Sequence, residues 1–304
     1  MHPTLLDLIF RRPVITDGAW GTELQKQGLS VGEFPDAWNL QYPDRVRAVA
    51  SSYVEAGSRV ILTNTFGSNR VRLADAGLAD KVEAINGAGV RISKEAAGQR
   101  AKVFASIGPS GKMLLTGDVT SAALRDAFVE QAKALAGAGA DGLVVETMSD
   151  LSEARVAVEA AKATGLPVVA CMVYDSGRLK DRTMMGTTPE QAAEALAASG
   201  ADVIGANCGQ GVEGFVAIAR RLRAATGVPL WIKANAGLPE FVDGKAVYRT
   251  TAAEFAQFLE PLVEAGADFV GGCCGTGPAF IRALVEAMTK VPPRSNVDDP
   301  AGNR

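Results

Sequence analysis

The chain has 304 residues, of which 47% are hydrophobic, and a formal net charge of -3 at pH 7. This charge argues against nucleic acid as a main partner, because nucleic-acid binding needs a basic face. No apolar run approaches the roughly eighteen residues of a membrane span, and the N-terminal segment lacks the features of a signal peptide. We therefore expect a cytoplasmic protein without a membrane partner, whose 4 cysteines are reduced.

Short apolar runs that suit buried strands recur along the chain. Several follow a small residue and a glycine, as at Gly139 and Gly266, and several begin at a proline, as at Pro167 and Pro229. Their interiors are apolar, whereas polar and sulfur-containing residues stand at their carboxyl ends. Strands are predicted near residues 13–17, 59–64, 102–107, 142–146, 167–173, 202–207, 229–234 and 268–273.

Alanine-rich helical stretches separate most of these strands and are predicted over residues 124–136, 151–163, 189–198 and 252–264. Such alternation predicts an α/β fold, a closed parallel (β/α)8 barrel of the TIM type, with a doubly wound open sheet as the alternative. Residues 1–290 then form a single domain. The polar, aperiodic residues 291–304 are expected to be a disordered tail.

Two segments are longer than this pattern requires, and both follow strands at the carboxyl face. Residues 32–39 belong to the long connection after the first strand. Residues 240–248, with Asp243-Gly244 at their centre, predict a hairpin after the seventh. Function in such barrels lies at the carboxyl ends of the strands, so both segments are candidate lids.

Three cysteines converge on that face. Cys208 ends the sixth predicted strand, and Cys273 and Cys274 end the eighth. Adjacent residues of a regular strand point to opposite faces, so the last two can share one ion only if the strand breaks, as Gly275 allows. Thiolates favour zinc, and three protein ligands with one open position are typical of a catalytic zinc site. Alternatively, these are small buried core residues, which is how we interpret Cys171 in its apolar run.

The nature of the predicted metal site favours a reaction class. The only histidine is His2, which excludes histidine ligands at the site and a nucleophile activated by a histidine base. Zinc with three thiolates is a poor Lewis acid for carbonyls but a suitable ligand site for another sulfur. A substrate thiol bound there loses its proton and stays electron-rich. Thiol alkylation therefore fits better than hydrolysis.

Carboxylates end two further strands. Asp17 follows the first strand and Glu146 the fourth, where a buried acid needs a partner such as a substrate ammonium or a backbone amide. Capping of the next helix is the alternative, above all for Asp17. Thr147, Asn64 and Asn207 also stand at strand ends, and we predict that they help to bind substrate.

These motifs together resemble the homocysteine S-methyltransferase family over roughly residues 5–290. The matching signatures are Asp17-Gly18-x-x-Gly21-Thr22, Thr63-Asn64-Thr65-Phe66, Gly108-Pro109, Glu146-Thr147, Gly205-Ala206-Asn207-Cys208-Gly209 and Gly271-Gly272-Cys273-Cys274-Gly275. The resemblance implies a barrel in which Cys208, Cys273 and Cys274 bind zinc, zinc binds homocysteine sulfur, and Asp17 and Glu146 hold the amino acid end.

Within that family the chain most resembles the bacterial betaine–homocysteine S-methyltransferases, which points to glycine betaine as methyl donor. The similarity includes Pro35-Asp36-Ala37-Trp38-Asn39, Thr183-Met184-Met185-Gly186 and the tyrosine of the predicted hairpin. A quaternary ammonium binds against aromatic faces, and we predict that Trp38, with Trp20, Phe66 and Tyr248, provides them. Gly67 and Thr147 depart from the pattern, because the animal betaine enzymes carry tyrosine at both positions.

Alternative functions follow from the same residues. A methylated corrinoid on a separate protein or a sulfonium such as S-methylmethionine could donate the methyl group. A barrel that binds zinc or thiols without turnover is a non-enzymatic alternative. An aldolase-type barrel with Lys233 as Schiff-base amine is another, although thiolate-bound zinc nearby should keep that lysine protonated. The sequence also allows a homo-oligomer.

Overall fold

The computed structural model describes residues 1–10, 12–30, 32–242 and 245–291. Within these residues the strands are β1 Val14–Ile15, β2 Val60–Ile61, β3 Lys102–Ile107, β4 Gly142–Met148, β5 Val168–Met172, β6 Val203–Gly211, β7 Leu230–Asn235, β8 Glu240–Val242, β9 Lys245–Val247 and β10 Phe269–Gly272. The helices are α1 Pro3–Ile9, α2 Trp20–Lys26, α3 Trp38–Gln41, α4 Pro43–Glu55, α5 Arg70–Asp75, α6 Val82–Ala97, α7 Ser121–Gly137, α8 Leu151–Lys162, α9 Pro189–Ala198, α10 Val212–Ala225, α11 Ala252–Ala256, α12 Leu259–Glu264 and α13 Pro278–Met288. Short 3-10 turns cover Pro35–Ala37 and Ala79–Lys81. None of the described helices is long and apolar enough to cross a membrane.

Eight of the strands form one parallel sheet in the order β1-β10-β7-β6-β5-β4-β3-β2. The two ends of this order meet, because Thr16 and Val60 form a parallel bridge and the Arg59 amide donates to the Ile15 carbonyl at 2.8 Å. The sheet therefore closes into a barrel, as predicted, and the open doubly wound alternative is wrong. Each predicted strand overlaps one of the eight, and β4, β6 and β7 extend beyond the predicted ends.

The core has two layers, one inside the barrel and one between the barrel and its helices. Inside the barrel, Trp231 stacks between Phe104 and Phe269, with ring centroids 6.2 and 5.1 Å away. Cys171 belongs to the same buried cluster, so its interpretation as a core residue is confirmed. Leu5 of α1 joins this cluster and packs against the amino-terminal end of the barrel.

The predicted helices are present, with one interruption. α9 begins at a capping box in which Thr188 and Gln191 each accept from the other's backbone amide, and Pro189 occupies its first position. The predicted helix over residues 252–264 is instead two helices, α11 and α12. Pro261 explains the break, because its ring would clash with the Gln257 carbonyl of a continuous helix.

Both candidate lid segments have defined structure. The first folds as the 3-10 turn Pro35–Ala37 followed by α3, and the second contains the antiparallel pair β8 and β9, which confirms the predicted hairpin. Its turn residues, Asp243 and Gly244, and the predicted tail after residue 291 lie outside the described residues.

Candidate metal and substrate site

A cavity of about 510 Å³ opens at the carboxyl ends of the barrel strands. This volume is in the usual range for small-molecule sites. Its wall is formed by the first lid, the turn after β1, the loop after β2 and the ends of β3, β4, β6, β7 and β10. Among the wall residues are Trp20, Phe34, Asp36, Asn64, Phe66, Arg72, Ser106, Glu146, Thr147, Cys208, Lys233, Cys273 and Cys274.

The three predicted ligand cysteines meet at this wall. The sulfur atoms of Cys208, Cys273 and Cys274 all lie within 4.8 Å of one another, and those of Cys208 and Cys274 are 3.8 Å apart. Tetrahedral zinc with zinc–sulfur bonds near 2.3 Å holds two thiolates about 3.8 Å apart. The donor set and its spacing therefore fit a zinc ion.

Backbone geometry brings the two adjacent cysteines together. β10 ends at Gly272, and a turn follows over residues 274–275, which confirms the predicted break in the strand. The Cys273 amide donates to the Ala234 carbonyl at 2.7 Å, and the Cys274 amide donates to the Asn235 side chain at 3.1 Å. The end of β7 thus holds both cysteine amides.

The thiols share charge unequally. The pKa of Cys208 is lowered to about 3, chiefly because the thiols of Cys273 and then Cys274 donate hydrogen bonds to its sulfur. The same interaction with Cys208 raises the pKa of Cys273. Three sulfur atoms this close together suit a soft cation, which displaces their protons on binding.

Gly275 shapes the turn that carries the cysteines. Its φ is +81°, and a Cβ at this position would lie 2.3 Å from the ring of Tyr248. Tyr248 follows the hairpin, and its pKa is raised by burial and by the nearby Cys274. The second lid therefore packs directly over the cysteine turn.

Glu146 ends the regular pairing of β4 and lines the cavity. Its carboxylate accepts a hydrogen bond from the Ser106 hydroxyl at 2.5 Å and a longer one, 3.3 Å, from the Asn207 amide. Burial raises its pKa, opposed mainly by the charge of Lys233. A buried carboxylate at the cavity wall is a suitable partner for a substrate ammonium.

Asp17, for which we predicted a substrate ammonium or a backbone amide as partner, is bonded within the protein. It is fully buried and is absent from the cavity wall. One carboxylate oxygen lies 2.5 Å from the Lys233 ammonium, and the other accepts from the Trp20 indole and the Leu62 amide, each at 2.7 Å. The Asp17 carboxylate thus accepts hydrogen bonds from three donors within the protein, and it positions the Lys233 ammonium, the Trp20 indole and the Leu62 amide.

Lys233 forms a buried ion pair with Asp17 and lines the cavity. Burial acts to lower its pKa, but the charges of Asp17 and Glu146 outweigh it, and the net shift is upward. A Schiff-base amine must be neutral, so the raised pKa argues against the aldolase alternative.

Thr147 and Asn207 form a link between β4 and β6. Thr147 lines the cavity, whereas Asn207 is buried behind it. Thr147 has φ +59° and Cys208, next to Asn207, has φ +64°, a conformation that is uncommon outside glycine. Register shifts in both strands accompany these residues. The Asn207 amide also donates to the Cys273 sulfur at 3.8 Å, so Asn207 acts on the site through Thr147, Glu146 and Cys273.

Asn64 lines the cavity and also holds the first lid. Its side-chain amide donates to the Pro35 carbonyl at 2.8 Å and to the Asn39 side chain at 3.0 Å. Asn39 returns a hydrogen bond of 2.7 Å to the Asn64 carbonyl. These contacts fix the lid against the end of β2.

Trp38, which we predicted to help bind the methyl donor, is not among the residues of the cavity wall. Its side chain is 1% exposed and packs against Tyr42 and Arg45, away from the cavity wall. The physical reason is local: the turn Pro35–Ala37 leads into α3, whose first residue faces the helical layer. Aromatic residues that do line the cavity are Trp20, Phe34 and Phe66.

Sequence reasoning missed several residues of the cavity wall. Asp36 accepts hydrogen bonds from the Gly67 amide and the Ser68 hydroxyl, both at 2.7 Å, and burial raises its pKa to about 6. Arg72 and Ser106 complete the set. A signal was present for Ser106, a polar residue within an apolar strand, whereas Arg72 belongs to a helix whose sequence predicts no site.

Comparison with known proteins agrees with this geometry. The sequence profile of the homocysteine S-methyltransferase family matches residues 14–288. Methionine synthases of Mycobacterium tuberculosis and Mycobacterium leprae are 31% and 30% identical to this chain over 94% of its length. The chain spans about a quarter of these relatives, 25% of each.

Solved structures show the same barrel. The metallated form of the homocysteine methyltransferase MmuM from Escherichia coli has a TM-score of 0.77 and 25% identity, covering 93% of this chain and 98% of that one. Its oxidized form has a TM-score of 0.79 at the same identity, covering 94% and 99%. With the family profile matching nearly the whole barrel, this chain belongs to the homocysteine S-methyltransferase family of enzymes.

Proposed function

We propose that this chain transfers a methyl group to the sulfur of homocysteine, giving methionine, with zinc held by Cys208, Cys273 and Cys274. The observation that supports this most is the composition of one cavity wall. It combines three clustered thiols, a buried carboxylate in Glu146 and a buried ammonium in Lys233. An amino acid that carries a thiol offers a complementary group to each.

Zinc, when bound by the three cysteines, supplies the chemistry of keeping the substrate sulfur deprotonated and nucleophilic at neutral pH. The protein's own residues supply position. Glu146 binds the ammonium of homocysteine, and the link between Thr147 and Asn207 holds Glu146 and Cys208 in register. Reaction requires the methyl carbon about 3–3.5 Å from the sulfur with the leaving group opposite.

Glycine betaine is the donor that the cavity supports best. Trp20, Phe34 and Phe66 offer aromatic faces to a quaternary ammonium, each worth about 0.5–2 kcal/mol. Arg72 lies beside Gly67, as Phe34 does, and its guanidinium suits the carboxylate of betaine. The ammonium and the carboxylate of betaine thus each have a suitable partner on the same side of the cavity wall.

A corrinoid-bearing partner protein is a second candidate donor. The observation that favours it is the match to methionine synthases, because the chain aligns over 94% of its own length but only 25% of theirs. If the remaining parts of such relatives supply the methyl group, a corrinoid-bearing domain or protein would be the donor here.

A donor screen tests both. Zinc-loaded protein is incubated with homocysteine and with betaine, S-methylmethionine or methylcobalamin, and methionine is quantified by mass spectrometry. We expect methionine from betaine, together with an equal amount of dimethylglycine, and none with Cys208→Ala. Methionine from methylcobalamin but none from betaine would overturn the donor and leave homocysteine as acceptor. No methionine from any donor would contradict the proposed reaction.

A further inference from the structure

Lys233 is a buried cation on the cavity wall that also carries Glu146. It stands within β7, its side chain is 3% exposed, and it lines the cavity together with Glu146. Burying an ammonium is costly unless it is paired, and Asp17 at 2.5 Å provides the partner. The ion pair explains why the lysine is tolerated, but not why it faces the cavity.

The hydrogen bonds of Asp17 assign the two carboxylates different roles. Asp17 already accepts from Lys233, Trp20 and the Leu62 amide. It is also fully buried and absent from the cavity wall, so a substrate ammonium in the cavity does not reach it. Glu146 accepts one short hydrogen bond, from Ser106, and one long one, from Asn207, and it faces the cavity. The substrate ammonium therefore binds to Glu146.

Lys233 has donors to spare. An ammonium carries three N–H groups. Among the described residues, the carboxylate of Asp17 accepts the one side-chain hydrogen bond resolved for Lys233. The remaining N–H groups have the cavity beside them. Among the described residues of the cavity wall, Arg72 is the other cation, and it lies beside Gly67 and Gly111, next to the first lid.

We propose that Lys233 binds the α-carboxylate of homocysteine while Glu146 binds its ammonium, and that Asp17 is a positioning residue that holds Lys233. The assignment rests on the proposed function. It follows from two oppositely charged groups on one buried wall, facing a substrate whose ammonium and carboxylate share one carbon. It makes Lys233 a residue that determines specificity for α-amino acids over simple amino thiols.

Binding of three thiols to zinc-loaded protein, measured by titration calorimetry, tests this. The ligands are homocysteine, 3-aminopropane-1-thiol, which lacks the carboxylate, and 4-mercaptobutanoate, which lacks the ammonium. We expect wild-type protein to bind homocysteine roughly ten- to hundredfold more tightly than either analogue, since each lacks one charge-assisted contact. Equal affinity for homocysteine and 3-aminopropane-1-thiol would overturn the proposal without the use of any variant.

Variants of the wall residues distinguish direct binding of the substrate carboxylate by Lys233 from a purely structural role of this lysine. Lys233→Met should bind homocysteine and 3-aminopropane-1-thiol with similar affinity, whereas Glu146→Gln should still prefer homocysteine to 3-aminopropane-1-thiol. Lys162→Met, the matched change of a lysine that pairs with Asp202 outside the cavity wall, should leave the preference as in the wild type. Loss of affinity for all three thiols by one common factor in Lys233→Met would show a structural role and overturn the assignment.

Two further outcomes keep the test decisive. If Lys233→Met does not fold, Lys233→Arg should fold and retain part of the preference for ligands with a carboxylate, because it keeps the charge. Complete loss of that preference in folded Lys233→Arg with zinc intact would also contradict direct binding. Failure of wild-type protein to bind any of the three thiols would overturn the proposed function itself, and this outcome is recognisable because no preference could then be measured.

Discussion

The side chain of Asn207 joins the end of β6 to Thr147 at the end of β4 by two hydrogen bonds. The Thr147 amide donates to the Asn207 carbonyl oxygen at 2.8 Å, and the Asn207 amide donates to the Thr147 hydroxyl at 2.7 Å. Glu146 and Cys208 are the immediate chain neighbours of these residues. One asparagine therefore fixes the distance between the Glu146 carboxylate and Cys208, one of the three proposed metal ligands.

Asn207→Ala should weaken both zinc retention and homocysteine binding, because it releases two strand ends that have positive φ. We expect at least a tenfold loss in kcat/KM, on the scale of one or two buried hydrogen bonds. Steady-state kinetics and zinc content check it. Asn86→Ala is the control: that asparagine is equally buried but bonds the Ser68 and Val82 carbonyls, so its change should cost stability alone.

Replacing Cys208, Cys273 or Cys274 by alanine should remove zinc and abolish methyl transfer. The reason is that two thiolates leave the ion without a third protein ligand. Metal analysis by mass spectrometry after dialysis against a weak chelator gives the content per chain. Cys171→Ala, a core change in the same barrel, should keep both zinc and activity; full activity of metal-free protein would contradict the metal site.

Glu146→Gln should raise the KM for homocysteine or lower kcat/KM roughly ten- to hundredfold, since it removes a charge-assisted contact worth about 1.5–3 kcal/mol. The amide can still accept from Ser106, so the fold should be retained. Kinetics at varied homocysteine with saturating donor measure the effect. Unchanged kinetics would exclude Glu146 from substrate binding.

Asp36 predicts a specific dependence of stability on pH. Burial raises its pKa from 3.8 to about 6, so the folded protein holds the proton more tightly than the unfolded chain does. The associated stability is present below about pH 4 and is lost as the pH rises through about 6, by on the order of 3 kcal/mol. Asp36→Asn carries no titrating carboxyl.

Urea unfolding between pH 4 and 7 measures this term as the difference between wild type and Asp36→Asn. The variant should gain stability relative to the wild type as the pH rises over that window. A difference that does not vary with pH would show that Asp36 does not titrate in the folded protein as stated.

Gly275→Ala should disturb the cysteine turn more than a glycine change elsewhere. Its Cβ would meet the Tyr248 ring at 2.3 Å, in addition to the strain of φ +81°. Gly165→Ala shares that backbone strain, at φ +79°, but meets nothing within 4 Å. The control should cost about 1–2 kcal/mol and keep its zinc. Gly275→Ala should show weaker zinc affinity in a competition titration; equal zinc affinity in the two variants would contradict the contact.

Trp38→Phe should leave the KM for betaine unchanged, whereas Phe66→Ala should raise it. Trp38 is buried away from the cavity, and Phe66 lines it. Loss of one aromatic face predicts a change of about two- to thirtyfold, corresponding to 0.5–2 kcal/mol. Donor kinetics at saturating homocysteine check both; a raised KM in Trp38→Phe would restore the role that the sequence predicted for it.

The sequence predicted the barrel, the cysteine cluster and the strand-end acids because each depends on local patterns. Repeated apolar runs locate strands, and parallel strands end on one face, so Cys208 and Cys273 had to lie close together. It did not predict that Lys233 pairs with Asp17, 216 positions away, because nothing local to either residue indicates which strand crosses opposite. Nor did the sequence predict that Trp38 points away from the cavity, because a single short turn decides the direction of its side chain.

The barrel seam between β1 and β2 links closure of the fold to the chemistry of the cavity. Each of these strands has two residues, and beyond them the Leu62 amide is bonded by the Asp17 carboxylate where a neighbouring strand would ordinarily accept. Because Lys233 holds Asp17, we expect a ligand that orders Lys233 to restrict the motion of Asp17 as well. The exchange rate of the Leu62 amide proton with solvent should therefore slow when homocysteine binds, which makes the seam a built-in reporter of substrate occupancy.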